Sequence, residues 1–72
     1  SLEELDISED EEKTVIQIIK SLDKNGKGAD VDAVVAAAKK KKIDKERLDE
    51  IFALLMGKGE LFEPVLGRLK LA

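Results

Sequence analysis

Apolar positions along the chain recur with a helical period three times and then change to a strand-like period. Val15, Ile16, Ile19 and Leu22 form a first stripe with Ile18 at its edge. Ahead of it, Ser8 and Glu11 have the spacing of a capping box, and Glu9, Asp10, Glu11 and Glu12 fill a first turn where carboxylates are favoured. These signals predict a helix over about residues 9–23, ended by Asn25-Gly26 and Gly28. Gly28-Ala29 is a candidate for a very short strand. Asp30 then caps a second helix carrying Val31, Val34, Val35 and Ala38 through about Lys41. Ile43 enters the core, Asp44 caps a third helix, and Leu48, Ile51, Phe52, Leu55 and Met56 form its expected buried band. Gly57 and Gly59 stop it.

The last stretch alternates. Leu69 and Leu71 interleave with Arg68 and Lys70, and Leu61 falls on the same face, so two short strands are predicted around a turn at Pro64 to Gly67. Neither strand is stable alone, so the hairpin must lie against the helices. The expected fold class is mainly α with a C-terminal β-hairpin. The order of helix, short strand, helix, tight turn, helix and hairpin describes a winged helix-turn-helix, a three-helix bundle plus wing. Residues 1–8 read as an acidic flexible linker and residues 9–72 as the domain, with Leu2, Leu5 and Ile7 available to fold back.

Composition narrows the chemistry. The 72 residues contain no Cys and no His, which removes disulfides, thiol chemistry and the commonest zinc ligands. Stability must come from an apolar core, near the lower size limit for unaided folding. The missing Cys fits a reducing cytosol, no apolar run reaches bilayer length, and the start Ser1-Leu2-Glu3-Glu4 lacks the features of a signal peptide. The chain is expected to be soluble, and, being short and starting without Met, a piece of something larger.

The net charge of -3 hides a segregation. Residues 1–12 hold seven acids and no base, residues 13–48 hold ten bases against five acids, and residues 49–72 hold three against four. A positive face beside an acidic leader is the expected result, and polyanion binding stays open. Lys39, Lys40, Lys41 and Lys42 have two readings: a solvated helix end suited to the dipole, or a grip on phosphates.

The remaining motifs are bland. Asp23-Lys24-Asn25-Gly26-Lys27-Gly28 has an outline of a calcium loop, but Lys27 falls within the ligand ring and Val34 stands where a bidentate Glu is needed. Gly26-Lys27-Gly28 and Gly57-Lys58-Gly59 lack the spaced glycines and Lys-Ser/Thr ending of a phosphate loop. With no His, Cys or Tyr and no enclosed pair of carboxylates in prospect, the chain is expected to be no enzyme and to need no metal or cofactor.

The third helix would stand where a helix-turn-helix reads DNA. Its exposed side should show Lys45, Glu46, Asp49, Glu50 and Ala53, with Arg47 as its one strong donor. Three carboxylates facing a phosphate wall disfavour sequence-specific duplex reading. DNA contact, if made, should be weak and salt-sensitive, drawing on Lys39–Lys42, Arg47, Lys58, Arg68 and Lys70. Protein contact is expected at Glu46, Asp49 and Glu50.

The stretch Gly59-Glu60-Leu61-Phe62-Glu63-Pro64-Val65-Leu66-Gly67-Arg68-Leu69-Lys70-Leu71 resembles the C-terminal end of archaeal minichromosome maintenance proteins, the replicative DNA helicases. The matching residues are Gly59, Leu61, Phe62, Glu63, Pro64, Gly67, Leu69 and Lys70. The upstream helices fit that family's C-terminal winged-helix domain, so the likeness covers nearly all of residues 13–72. Physically, Phe62 is expected to seal the hairpin to the third helix, Pro64 to end the first strand and Gly67 to reverse the turn.

The resemblance implies a hexameric ATP-dependent parent acting at the replication fork in the archaeal cytoplasm. ATP and Mg would be held by its AAA+ core, of whose motifs this chain has none. It implies for this chain a non-catalytic accessory domain, monomeric in isolation, that modulates helicase or ATPase activity through contact with the core or other replication proteins. The acidic third helix departs from a DNA-reading version. The alternative is a winged-helix DNA-binding module of a transcription factor or another replication protein.

Overall fold

The structure, a computed structural model, describes residues 6–72. Ser8 begins the first helix, α1 (Glu9–Leu22), with both bonds of the capping box in place. The Ser8 hydroxyl oxygen accepts from the Glu11 N–H and a Glu11 carboxylate oxygen accepts from the Ser8 N–H, each at 3.1 Å. Two otherwise orphaned backbone donors are satisfied this way. Ile7 is half-buried against the core, so the packed body reaches back ahead of the boundary expected at residue 9. Leu2 and Leu5 lie outside the described residues.

A two-residue strand, β1 (Ala29–Asp30), runs directly into α2 (Val31–Lys40), where Asp30 serves as strand residue and N-cap at once. Its carboxylate accepts from the Ala33 N–H at 3.1 Å. Asp44 does the same for α3 (Lys45–Gly57), accepting from the Arg47 N–H at 2.8 Å. β2 (Leu61–Phe62) and β3 (Arg68–Leu71) form the expected hairpin, and β1 adds to its other side. The antiparallel sheet has the order β1-β3-β2, with Ala29 opposite Leu69 and Leu61 opposite Leu71. Among the described residues the chain is thus a small, mainly helical domain of three helices and a three-stranded antiparallel sheet.

α2 and α3 end in the same backbone motif. After α2, the Lys42 N–H donates to Lys39 O and the Ile43 N–H to Ala38 O. After α3, the Gly59 N–H donates to Met56 O and the Glu60 N–H to Leu55 O. Both are Schellman closures, which need a left-handed residue just past the helix. Gly59 (φ 75°) meets that need without strain, whereas Lys42 (φ 65°) meets it with a side chain attached. The sharp α2–α3 turn depends on this strained lysine. Ile43 follows it into the core, against the same turn that holds buried Ala38.

Val15, Ile18 and Ile19 of α1, Val34 and Ala38 of α2, and Leu48, Ile51, Phe52 and Leu55 of α3 meet in one core, closed by Ala29, Leu61 and Leu69. Three expectations need correction. Ile18 is buried and Ile16 only half-buried, because spacings of three and four from Val15 centre the stripe on 15, 18, 19 and 22. Met56, expected in the buried band, is 40% exposed, since it follows Leu55 round the helix and off the inward face. Phe62 does not seal the hairpin to α3: it is 43% exposed. Strand alternation points Leu61 inward, so its neighbour must take the opposite face, beside Lys70.

Candidate functional site

α3 presents Lys45, Glu46, Asp49 and Ala53 to solvent as expected, whereas Glu50, expected on the exposed side, is half-buried where Arg47 meets it. The bases on this helix are already engaged. Lys45 Nζ lies 3.1 Å from an Asp49 carboxylate oxygen, one turn along the helix. Arg47 reaches across to α1, where Nε and Nη2 donate to the two oxygens of Glu11 at 2.8 and 2.9 Å. Its Nη1 donates to Glu50 at 3.2 Å and Nη2 also to the Asp6 carbonyl at 2.9 Å. Lys58, just beyond the helix, places Nζ 2.6 Å from Glu12.

These contacts set the titration of the groups. The Arg47 hydrogen bonds, with the Ser8 N–H, hold the Glu11 carboxyl at about 2, well below its ordinary 4.5, against the opposing effect of burial. Glu11, and secondarily Glu50, stabilise the charged guanidinium and raise its already high pKa. The hydrogen bond to Glu12 likewise raises Lys58. The consequence for α3 is electrostatic. A guanidinium whose donors are spent on the protein's own carboxylates cannot also fork onto a guanine edge or a phosphate without first breaking those bonds.

The other bases expected to touch DNA lie elsewhere. Lys39, Lys40, Lys41 and Lys42 are exposed at the end of α2 and in the turn, on the body's surface. Lys41 borders an open groove of about 550 Å³ that α1 lines with Asp10, Lys13, Thr14, Gln17 and Ser21. Arg68 and Lys70 stand on β3, and the structure gathers them with the loop of residues 23–28. Arg68 Nη1 donates to the Gly28 carbonyl at 2.8 Å, and Lys70 Nζ to the Gly26 carbonyl at 2.5 Å. The expected contact residues therefore do not form one patch. They divide between the end of α2, the neutralised α3 side and the sheet.

Residues that sequence pattern alone passed over complete this arrangement. Glu11 and Glu12 read as helix-start acids, yet they tie α1 to Arg47 and Lys58, 36 and 46 positions away. Lys24 and Lys27 belong to a loop read as calcium-like in outline only, and the Gly26 and Gly28 carbonyls of that loop are held by Lys70 and Arg68. No local signal could reveal either grouping, because each spans more than one element.

The site has little with which to hold a cofactor. Among the described residues no cluster of three acids is placed to bind a metal. Gly57-Lys58-Gly59 follows a helix, not a strand, and its lysine is turned onto Glu12. A nucleotide phosphate finds no cradle there. Among the described residues no helix is long and apolar enough to cross a membrane. No family model, curated protein or solved structure matches the chain.

Proposed function

We propose that the chain is a winged helix-turn-helix domain serving as a non-catalytic regulatory and interaction element of an ATP-dependent replicative helicase of the minichromosome maintenance type. It acts through protein contacts, with weak non-specific DNA contact secondary. The order α-β-α-α-β-β and the sheet order β1-β3-β2 support the winged-helix reading, with the β2–β3 hairpin as the wing. The hairpin residues Gly59, Leu61, Phe62, Glu63, Pro64, Gly67, Leu69 and Lys70 support the family.

The observation that carries protein over DNA contact is the engagement of Arg47 by Glu11 and Glu50. With Lys45 and Arg47 both engaged, the outer side of α3 offers a duplex no unengaged base, and Glu46, Asp49 and Glu50 outnumber its two bases, a mildly acidic balance that favours a basic partner. Catalysis, ATP and Mg belong on this reading to the AAA+ core of a hexameric parent.

Removing the domain from the intact hexamer tests the proposal. ATPase and unwinding rates should change, and Glu46→Lys with Asp49→Lys should reproduce the direction of the change. Rates unaffected by deletion on several DNA substrates would remove the regulatory reading. A parent gene with a ligand-sensing domain ahead of residue 1, in place of an ATPase, would favour the transcription-factor alternative.

A further inference from the structure

The cations of β3 and of the loop after α1 are far apart in sequence and adjacent in the fold. Alternation along β3 turns Leu69 and Leu71 inward and Arg68 and Lys70 outward. Their bonds to Gly28 O and Gly26 O hold the loop beside the sheet. A neutral carbonyl orients each cation without cancelling its charge. The loop adds exposed Lys24 and Lys27, and Lys20 shares with Lys70 and Asp23 a small cleft of about 230 Å³.

Five bases thus lie on three neighbouring segments. Three carboxylates flank these five bases without outnumbering them: Asp30 caps α2 opposite Arg68 in the ladder, Glu63 accepts from the Gly67 N–H at 2.8 Å, and Asp23 lines the cleft with one oxygen buried. On this same outer face, Phe62 stands opposite Lys70 in the ladder and is 43% exposed.

We propose that the outer face of the sheet, with the loop of residues 23–28, binds single-stranded nucleic acid. Arg68, Lys70, Lys24 and Lys27 contact successive phosphates, and Phe62 stacks against a base. The strand rise separates Arg68 and Lys70 by about 7 Å, the scale of neighbouring phosphates in an extended strand. A duplex hides its base faces and would leave Phe62 idle. An acidic peptide would answer the cations but supply no flat partner for the ring. An open platform of cations with one aromatic favours sequence-tolerant binding to unpaired strands. This gives the secondary DNA contact of the proposed function a place and a ligand class, yet it rests on the isolated chain and not on the helicase reading.

The test is fluorescence anisotropy of a labelled oligothymidylate with the full chain at low salt, alongside amide chemical shifts. Shifts should map to residues 24–28, 62 and 68–70. Phe62→Ala and the pair Lys24→Glu with Lys27→Glu should each weaken binding about tenfold. Both sets are exposed, and circular dichroism checks that they fold. Lys39→Glu with Lys40→Glu should change affinity by less than about twofold, and the logarithmic salt slope should be about -2 to -3. Shifts confined to Lys39–Lys42, equal affinity for duplex, displacement by polyglutamate at equal charge, or no binding at low salt would each overturn the proposal.

Discussion

Arg47 on α3 grips Glu11 on α1 through two parallel hydrogen bonds of 2.8 and 2.9 Å, while that glutamate also completes the cap of its own helix. One carboxylate therefore joins a local signal, the capping box, to a tertiary one, the α1–α3 contact. Both side chains are about 30% exposed, so the pair is wetted as well as packed.

This coupling makes stability depend on acid. The folded Glu11 carboxyl titrates at about 2 against an ordinary 4.5. Its contribution is therefore present above 4.5 and is lost as pH falls from 4.5 through about 2. Urea denaturation at about pH 6 and about pH 3 should show wild type losing more stability on acidification than Glu11→Gln does. Arg47→Lys should also lower the melting midpoint, because an ammonium cannot reproduce the paired fork. An equal acid response in wild type and Glu11→Gln would show that Arg47 does not bias this carboxyl.

Lys42 supplies a second prediction. Its left-handed backbone (φ 65°) closes α2, a position that glycine occupies without the Cβ penalty. Lys42→Gly should stabilise the domain by about 0.5–1 kcal/mol despite removing a charge. Thermal or urea denaturation measures it. A glycine at exposed Ala36, in the middle of α2, should instead destabilise by about 1 kcal/mol.

A side chain at Gly28 should be costly. Its φ is 98°, and a Cβ there would lie 3.2 Å from both the Arg68 Cβ and the Leu69 carbonyl. Gly28→Ala should cost about 1–3 kcal/mol and shift the amides of β3. Gly26, also at positive φ, has open space around it, so Gly26→Ala should cost less and leave β3 unshifted.

The core and its rim should separate by mutation. Leu48 is fully buried, and Leu48→Ala should cost about 2–4 kcal/mol. Met56→Ala, at a position 40% exposed, should cost less than about 1 kcal/mol. Denaturant midpoints of the two variants decide whether Met56 belongs to the buried band or stands outside it.

Helix caps and apolar periods were readable in the chain because they are relations among residues a few positions apart. Ser8 with Glu11, Asp30, Asp44 and Gly59 all perform the jobs their types and spacing predict. Phe62 and Met56 were less legible. A large apolar side chain reads as core whichever way it points, and only the inward choice of Leu61 and Leu55 sends these neighbours to the surface. The run Lys39–Lys42 reads as uniform charge, yet its last member does a backbone job that charge does not suggest.

By itself the sequence determined three amphipathic helices, their caps and a terminal hairpin, because each follows from backbone hydrogen bonding and side-chain period over a single turn or strand pair. Only the tertiary structure decided which charges are spent and which remain. Arg47 and Lys58 close onto Glu11 and Glu12, while Arg68 and Lys70 settle on the carbonyls of Gly28 and Gly26 and keep their charge. Electrostatic partners are chosen by distance in space, and burial of the shared apolar core is what brings those distant segments together.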